Sequence, residues 1–307
     1  AQASALQEEI NFTRGNEEEA DSVGIGILAD ANFDPRAMPV FFERLTHANR
    51  LYETGAPEML RTHPVTSNRI ADALGRAEQH GYRQYPSSLH FHLTREALRV
   101  RQFKEPAEAV KHFSSGLTEG RHLNEEAHEY GYALALMRAK QYAKARQIVD
   151  NLLKGNAAQI EYILAKAKLS ELRGHQAEGL HSLKSYYLLM PENYPLSVAY
   201  IEALGQAGDY AKARQVAARA ISLRSDNPRL YRLAGRVEEL AGNQSESHRM
   251  LAEAYVVEGQ LHAATQQLEI ALKKADKDDF QQVSRIESRL ARLREVVTWQ
   301  EKEKSQQ

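Results

Sequence analysis

Ala207-Gly208-Asp209-Tyr210-Ala211-Lys212-Ala213 aligns with Arg173-Gly174-His175-Gln176-Ala177-Glu178-Gly179 at an offset of 34 residues, and this pairing decides the fold. Stepping by 34 from Ala145 meets Gly179, Ala213 and Ser247, all small. Four positions after these come Val149, Leu183, Ala217 and Leu251, and twelve positions before them Ala133, Ala167, Ile201 and Gly235. Gly174, Gly208 and Gly242 precede the second helix of their units. Small residues let two helices approach closely, glycine ends the first helix with a positive φ, and apolar residues fill the seam. The pattern is a helix–turn–helix unit repeated in phase over about residues 125–258, and an irregular earlier unit around Leu93–Gly116 extends it.

The composition agrees with an all-α fold. Ala, Leu, Glu, Lys, Arg and Gln dominate, and these residues lose little rotamer freedom in a helix. Most of the nine prolines fall between periodic segments, as helix punctuation. With 42% hydrophobic and 26% charged residues, the 307-residue chain can bury a sizeable core. Its formal net charge of −1 lacks the strongly basic balance of a nucleic-acid binder, so no nucleic-acid partner is expected. No apolar run approaches the length of a membrane span, and the first residues lack a signal-peptide layout. The absence of cysteine excludes disulfides, thiol nucleophiles and thiolate metal sites, and leaves the redox compartment open.

After Ala254 the phase slips by half a unit. Gly259, Leu261, Ala264, Leu268 and Ala271 repeat the turn-and-second-helix pattern only 17 residues on, so one helix, about Ser245–Glu258, serves two neighbouring hairpins. Beyond Asp279 a last helix carries Phe280, Val283, Ile286, Leu290, Leu293 and Val297 along one face, as a cap on the open end of the stack. The 34-residue unit resembles the tetratricopeptide repeat, although the Trp-Leu-Gly opening is missing and Gln244 stands where an aromatic is usual.

Residues 1–82 follow no such spacing, and two motifs stand out there. In Asn16-Glu17-Glu18-Glu19-Ala20-Asp21, Glu17 and Asp21 are four apart, so on a helix both carboxylates share one face. Taken alone, an acidic helical cluster is usually a solvated surface. In Thr62-His63-Pro64-Val65-Thr66-Ser67-Asn68-Arg69-Ile70, Thr66 can cap a helix whose buried stripe is Ile70, Ala73, Leu74 and Ala77. On pattern alone His63 is more often a loop histidine than a ligand.

Together, Glu-x-x-Ala-Asp and the later Thr-His-Pro-x-Thr-x-x-Arg-Ile are similar to the zinc metallopeptidase family that includes the CaaX prenyl proteases and the HtpX-type membrane proteases. Asn32-Phe33-Asp34-Pro35 between them also fits. The resemblance implies that Glu17 is the third zinc ligand and Asp21 the carboxylate that orients a zinc-bound histidine. It implies that His63 can approach the zinc and take its open position, and that Arg69 is the usual partner at the head of the next helix. The family's H-E-x-x-H helix, which supplies two imidazole ligands and the general-base glutamate, is missing. The nearest string, His128-Glu129-Tyr130-Gly131-Tyr132, lacks the second histidine and lies among the repeats.

A catalytic zinc site needs three protein ligands and an open position. The expectation is therefore a fragment: 1–82 as the C-terminal part of a zinc metallopeptidase domain, and 83–307 as a tetratricopeptide-repeat α-solenoid with a capping helix. Such a fragment holds Zn2+ poorly, cleaves nothing by itself and has its base glutamate upstream. The resemblance, with repeats downstream, further implies a periplasmic protein whose partners are outer-membrane β-barrel proteins and their assembly machinery. The rival expectation is a non-catalytic protein-interaction scaffold. Candidate partner-binding residues are Tyr130, Arg138, Lys168, Arg229, Arg232 and Arg236, on the first helices of the units. Arg229, Arg232 and Arg236 form either a solvated helix face or a docking strip for carboxylate-bearing segments.

Other chemistry is discounted. There is no Gly-x-Ser-x-Gly elbow, and Gly24-Ile25-Gly26 sits in a helical pattern rather than a nucleotide loop. His90 and His92 are too close in sequence to share a helix face, and Tyr186, Tyr187 and Tyr210 fall at seam spacing.

Overall fold

A computed structural model describes residues 2–51, 65–80 and 87–304, with side chains at 15–47, 65–80 and 87–300. Among the described residues there are fifteen helices and no strand. The chain divides into two compact units, Ala1–Ser88 and Leu89–Gln307. The expected junction at residue 82 lies outside the described residues, as does His63.

The first unit contains α1 (Gln2–Asp30), α2 (Ala37–Leu51) and α3 (Ser67–Glu78). Its core is Ile25, Phe42 and Ala73, with Met38, Val65 and Ile70 packed against them. Gly24 lies inside α1, where an added Cβ would stand 2.8 Å from the Met38 Cε, so this glycine admits a side chain of α2. At the head of α3 the Thr66 hydroxyl accepts the Arg69 N–H at 3.3 Å, the cap its sequence announces. Ala73 and Ala77 are buried, but Leu74 is exposed. Only the alanines and Ile70 of the expected stripe therefore face this core.

The second unit is a row of helix hairpins. It runs α4 (Leu89–Gln102), α5 (Pro106–Thr118), α6 (Glu125–Arg138), α7 (Tyr142–Gly155), α8 (Ile160–Leu172), α9 (Gln176–Leu189), α10 (Tyr194–Gln206) and α11 (Tyr210–Leu223). It continues with α12 (Pro228–Leu240), α13 (Gln244–Val257), α14 (Leu261–Lys274) and α15 (Phe280–Lys304). Pro106, Pro195 and Pro228 open α5, α10 and α12, where a missing N–H costs nothing. From α5 onward each helix packs on its sequence neighbour, α4 packs on α6, and α13 packs on both α12 and α14, as the half-unit slip requires.

The 34-residue series falls on the seams. Ala133, Ala145, Ala167, Ile201 and Ala213 are all buried, as are Gly179, Gly235 and Ser247. Tyr187 is buried, with Tyr186 and Tyr210 against the same core. In α15, Ile286, Leu290 and Leu293 close the end of the stack over α14, whereas Phe280, at the helix start, is 78% exposed. The apolar stripe is one turn longer than the surface it covers.

Candidate functional site

In the first unit, α1 and α3 bring Glu17, Asp21 and Arg69 together. Both Asp21 oxygens accept from the Arg69 fork, Oδ2 from Nε at 2.7 Å and Oδ1 from Nη2 at 2.8 Å. Arg69 Nη1 reaches Glu17 Oε2 at 2.9 Å. The i, i+4 spacing in α1 sets the two carboxylates side by side, and the Thr66 cap fixes where Arg69 leaves α3. The guanidinium also lies 5.1 Å over the Phe42 ring of α2, an aromatic partner that spacing arguments miss. Its pKa is raised, chiefly by the hydrogen bonds to Asp21 against the cost of burial, with the charges of Asp21 and Glu17 adding to it.

This cluster can neutralise and orient carboxylates. It is not by itself a zinc site: among the described residues no three His, Asp or Glu side chains are placed to hold a metal. Glu17 supplies one donor of the right chemistry, and Asp21 is engaged by Arg69. No step through a metal follows from these residues.

In the second unit α8, α9 and α10, with Arg229 of α12, border a groove of about 760 Å³. Leu164, Leu180 and Val198 give it apolar walls, with Lys168, Glu202 and Arg229 at its edges. Lys168 pairs with Glu171 at 2.7 Å. The other candidate partner-binding residues are placed differently. Tyr130 is buried, its ring 5.6 Å from that of Tyr162, so it is packing rather than open surface. Arg138 donates to the carbonyl oxygens of Val100 and Phe103, tying down the end of α4.

The arginines of α12 do not act as one stripe. The Arg232 fork is taken by both oxygens of Glu258, at 2.5 and 2.7 Å, and its guanidinium lies 5.7 Å over Tyr255. Arg229 and Arg236 are exposed, and only Arg229 borders the groove. A signal for the groove was present in the sequence. Stepping by 34 from Leu164 meets Val198, two apolar residues that share its wall, whereas Tyr130 and Arg232, one step outside on either side, do not line it.

Residues 1–77 match peptidase family M48, so the segment that carries the carboxylate–arginine cluster is peptidase-like. The chain as a whole is similar to the β-barrel assembly-enhancing protease of Escherichia coli K12, with 29% identity over 294 residues and 96% of this chain. The protein of that name from Yersinia pestis is 26% identical over the same length. A putative β-barrel assembly-enhancing protease of Vibrio cholerae is 37% identical over 153 residues, half of this chain and 31% of the relative. The chain spans 60% of the length of the first two relatives. Among solved structures, a tetratricopeptide repeat protein from Parabacteroides merdae aligns with 61% of this chain and 81% of its own, at 14% identity and a TM-score of 0.41. A thermophilic repeat protein of Thermus thermophilus covers 66% of this chain and all of its own, at 18% identity and a TM-score of 0.37.

Proposed function

We propose that the chain is the C-terminal portion of a periplasmic zinc metalloendopeptidase that acts in the assembly and quality control of outer-membrane β-barrel proteins. Residues 1–82 contribute to the peptidase domain, and 83–307 bind protein partners. The observation that carries the reading is the Glu17–Asp21–Arg69 cluster within a segment matching peptidase family M48. In this reading Glu17 gives one carboxylate to the zinc, which supplies an activated water when bound. Arg69 and Asp21 hold the α1–α3 junction, and His63 approaches the same site. The remaining ligands and the general-base glutamate come from an H-E-x-x-H helix outside these 307 residues. The chain alone is then inactive.

The repeats take the partner-binding role because their groove has apolar walls and an exposed guanidinium, Arg229, at its edge. The probe is a urea-unfolded outer-membrane β-barrel protein, immobilised and offered to the chain at low and moderate salt. Capture should fall with Val198→Glu, and Arg229→Glu should remove part of its salt dependence, since charge contacts are screened over about 8–10 Å at ordinary ionic strength. Equal capture by both variants, with helicity intact, would remove the groove from the proposal. A scaffold without catalysis is the second reading, favoured by the ion pair that already engages Glu17.

A further inference from the structure

The groove of the second unit is a slot between the first helices of two consecutive hairpins, and its dimensions limit what can lie in it. α8 and α10 each pack on α9 but touch one another little, less than α10 and α12 do. Through the gap between them the slot reaches α9, where Gly179, Leu180 and Leu183 form its floor. A Cβ at Gly179 would stand 3.0 Å from the Ala167 carbonyl oxygen, so α9 lies close against α8 while α10 stands off. Leu183 and Val198 are buried, and Leu164, Leu180, Ala199 and Ala203 are half-buried.

Along α10 the lining runs from Tyr194 to Ala207, which at the rise of an α-helix is about 20 Å. The groove's volume spread over that length leaves a cross-section of about 40 Å². A single strand occupies about 50 Å², the product of its spacings within and between sheets. A helix occupies about 80–110 Å², so it could only rest on the rim with one row of side chains inserted. At the rise of a strand, the slot is about six residues long.

The polar groups of the rim suit the same occupant. An extended backbone brings N–H and C=O groups that a helix satisfies within itself. The side chains of Gln176, Glu202 and Gln206 border the slot, and none has a hydrogen-bond or ion-pair partner among the described residues. Lys168 is taken by Glu171, which leaves Glu202 and Arg229 as one free charge of each sign. The rim therefore favours neither a strongly acidic nor a strongly basic segment. With an apolar floor and a polar mouth, a strand in the slot turns alternate side chains to each.

We propose that the slot between α8 and α10 takes an extended segment of about six residues from a protein partner, apolar at every second position and polar, without strong net charge, between them. The inference rests on the proposed partner-binding role of the groove and adds the conformation and the pattern that it selects. A β-barrel strand that has not yet paired carries this alternation.

The test uses the 307-residue chain and two fluorescent synthetic peptides of about ten residues and identical composition. One carries its apolar residues at every second position, the other at i, i+3, i+4, i+7 and i+8. The alternating peptide should bind at least about tenfold more tightly, and its transferred nuclear Overhauser effects should report an extended backbone. Val198→Glu, and Ala203→Phe, which fills the slot from a half-buried position, should each remove the preference with helicity intact. Equal or tighter binding of the rearranged peptide, a helical bound form, or no saturable binding of either would overturn the inference. So would an unchanged preference in Ala203→Phe. Capture of the unfolded β-barrel protein without the peptide preference overturns this inference alone. The preference without that capture upholds it and overturns the choice of client.

Discussion

Lys140 occupies, after the first full hairpin helix, the turn position that Gly174, Gly208 and Gly242 take in the next three units. Its φ is +59°, against +80°, +78° and +82° for the glycines. The same pair of backbone bonds closes all four turns: Lys140 N–H to Met137 and Gln141 N–H to Leu136, matched by Gly174 to Glu171 and His175 to Ser170. A left-handed backbone costs a non-glycine residue about 1–2 kcal/mol, partly offset by glycine's freedom in the unfolded chain. Lys140→Gly should therefore stabilise the repeat unit by about 0.5–1 kcal/mol, read as a higher midpoint in urea unfolding; an unchanged or lower midpoint contradicts the assignment.

How much was legible also varies residue by residue. Thr66 as a cap and the shared face of Glu17 and Asp21 follow from local rules, and the structure has both. That Arg232 is spent on Glu258 does not, because the partner lies 26 residues away at the C-terminal cap of α13, and only packing sets that distance.

Among the elements, the α11–α12 seam shows how a charge is kept in a helical stack. Glu238 of α12 is 5% exposed, and both its oxygens accept from the Arg214 fork of α11, at 2.7 and 2.8 Å. Asn243 adds a third bond at 2.9 Å. Burial alone would raise the Glu238 pKa, but the bonds from Arg214 and Asn243 and the charges of Arg214 and Arg249 hold it below the ordinary value. A depressed carboxylate stabilises the fold above its unfolded pKa of about 4.3, and that contribution is lost as pH falls through the folded value. Arg214→Met leaves the carboxylate buried and half-satisfied. Because Arg214 is itself 40% exposed, the cost should be about 2 kcal/mol at pH 7 rather than the full cost of breaking a buried pair. The gap between variant and parent should narrow as pH approaches 4, since protonation relieves only the variant. A gap that stays constant across that range would show that Glu238 is not the group involved.

The element pattern was legible because seam positions demand small or apolar residues whatever else the helix does. The margins were not: Phe280 continues an apolar stripe past the surface that covers it, and Leu74, between the buried Ala73 and Ala77, falls outside the covered face, because a stripe states neither its partner's length nor its width.

For the whole molecule, the two units were separable in the sequence because one repeats and the other does not, and the chain does divide into two compact units. The groove was only half visible. Leu164 and Val198 mark its apolar wall, but charge in a sequence does not reveal which guanidiniums are already paired, as Arg232 is, and which border the groove, as Arg229 does. The peptidase reading rests on α1 and α3, and on Glu17 above all. The most direct test is zinc content together with proteolysis in a polypeptide that carries an H-E-x-x-H helix ahead of these 307 residues, compared with its Glu17→Gln variant. The proposed ligand role predicts that the variant loses both the metal and the activity, with the second unit still folded. Full zinc content and full turnover in Glu17→Gln would contradict it.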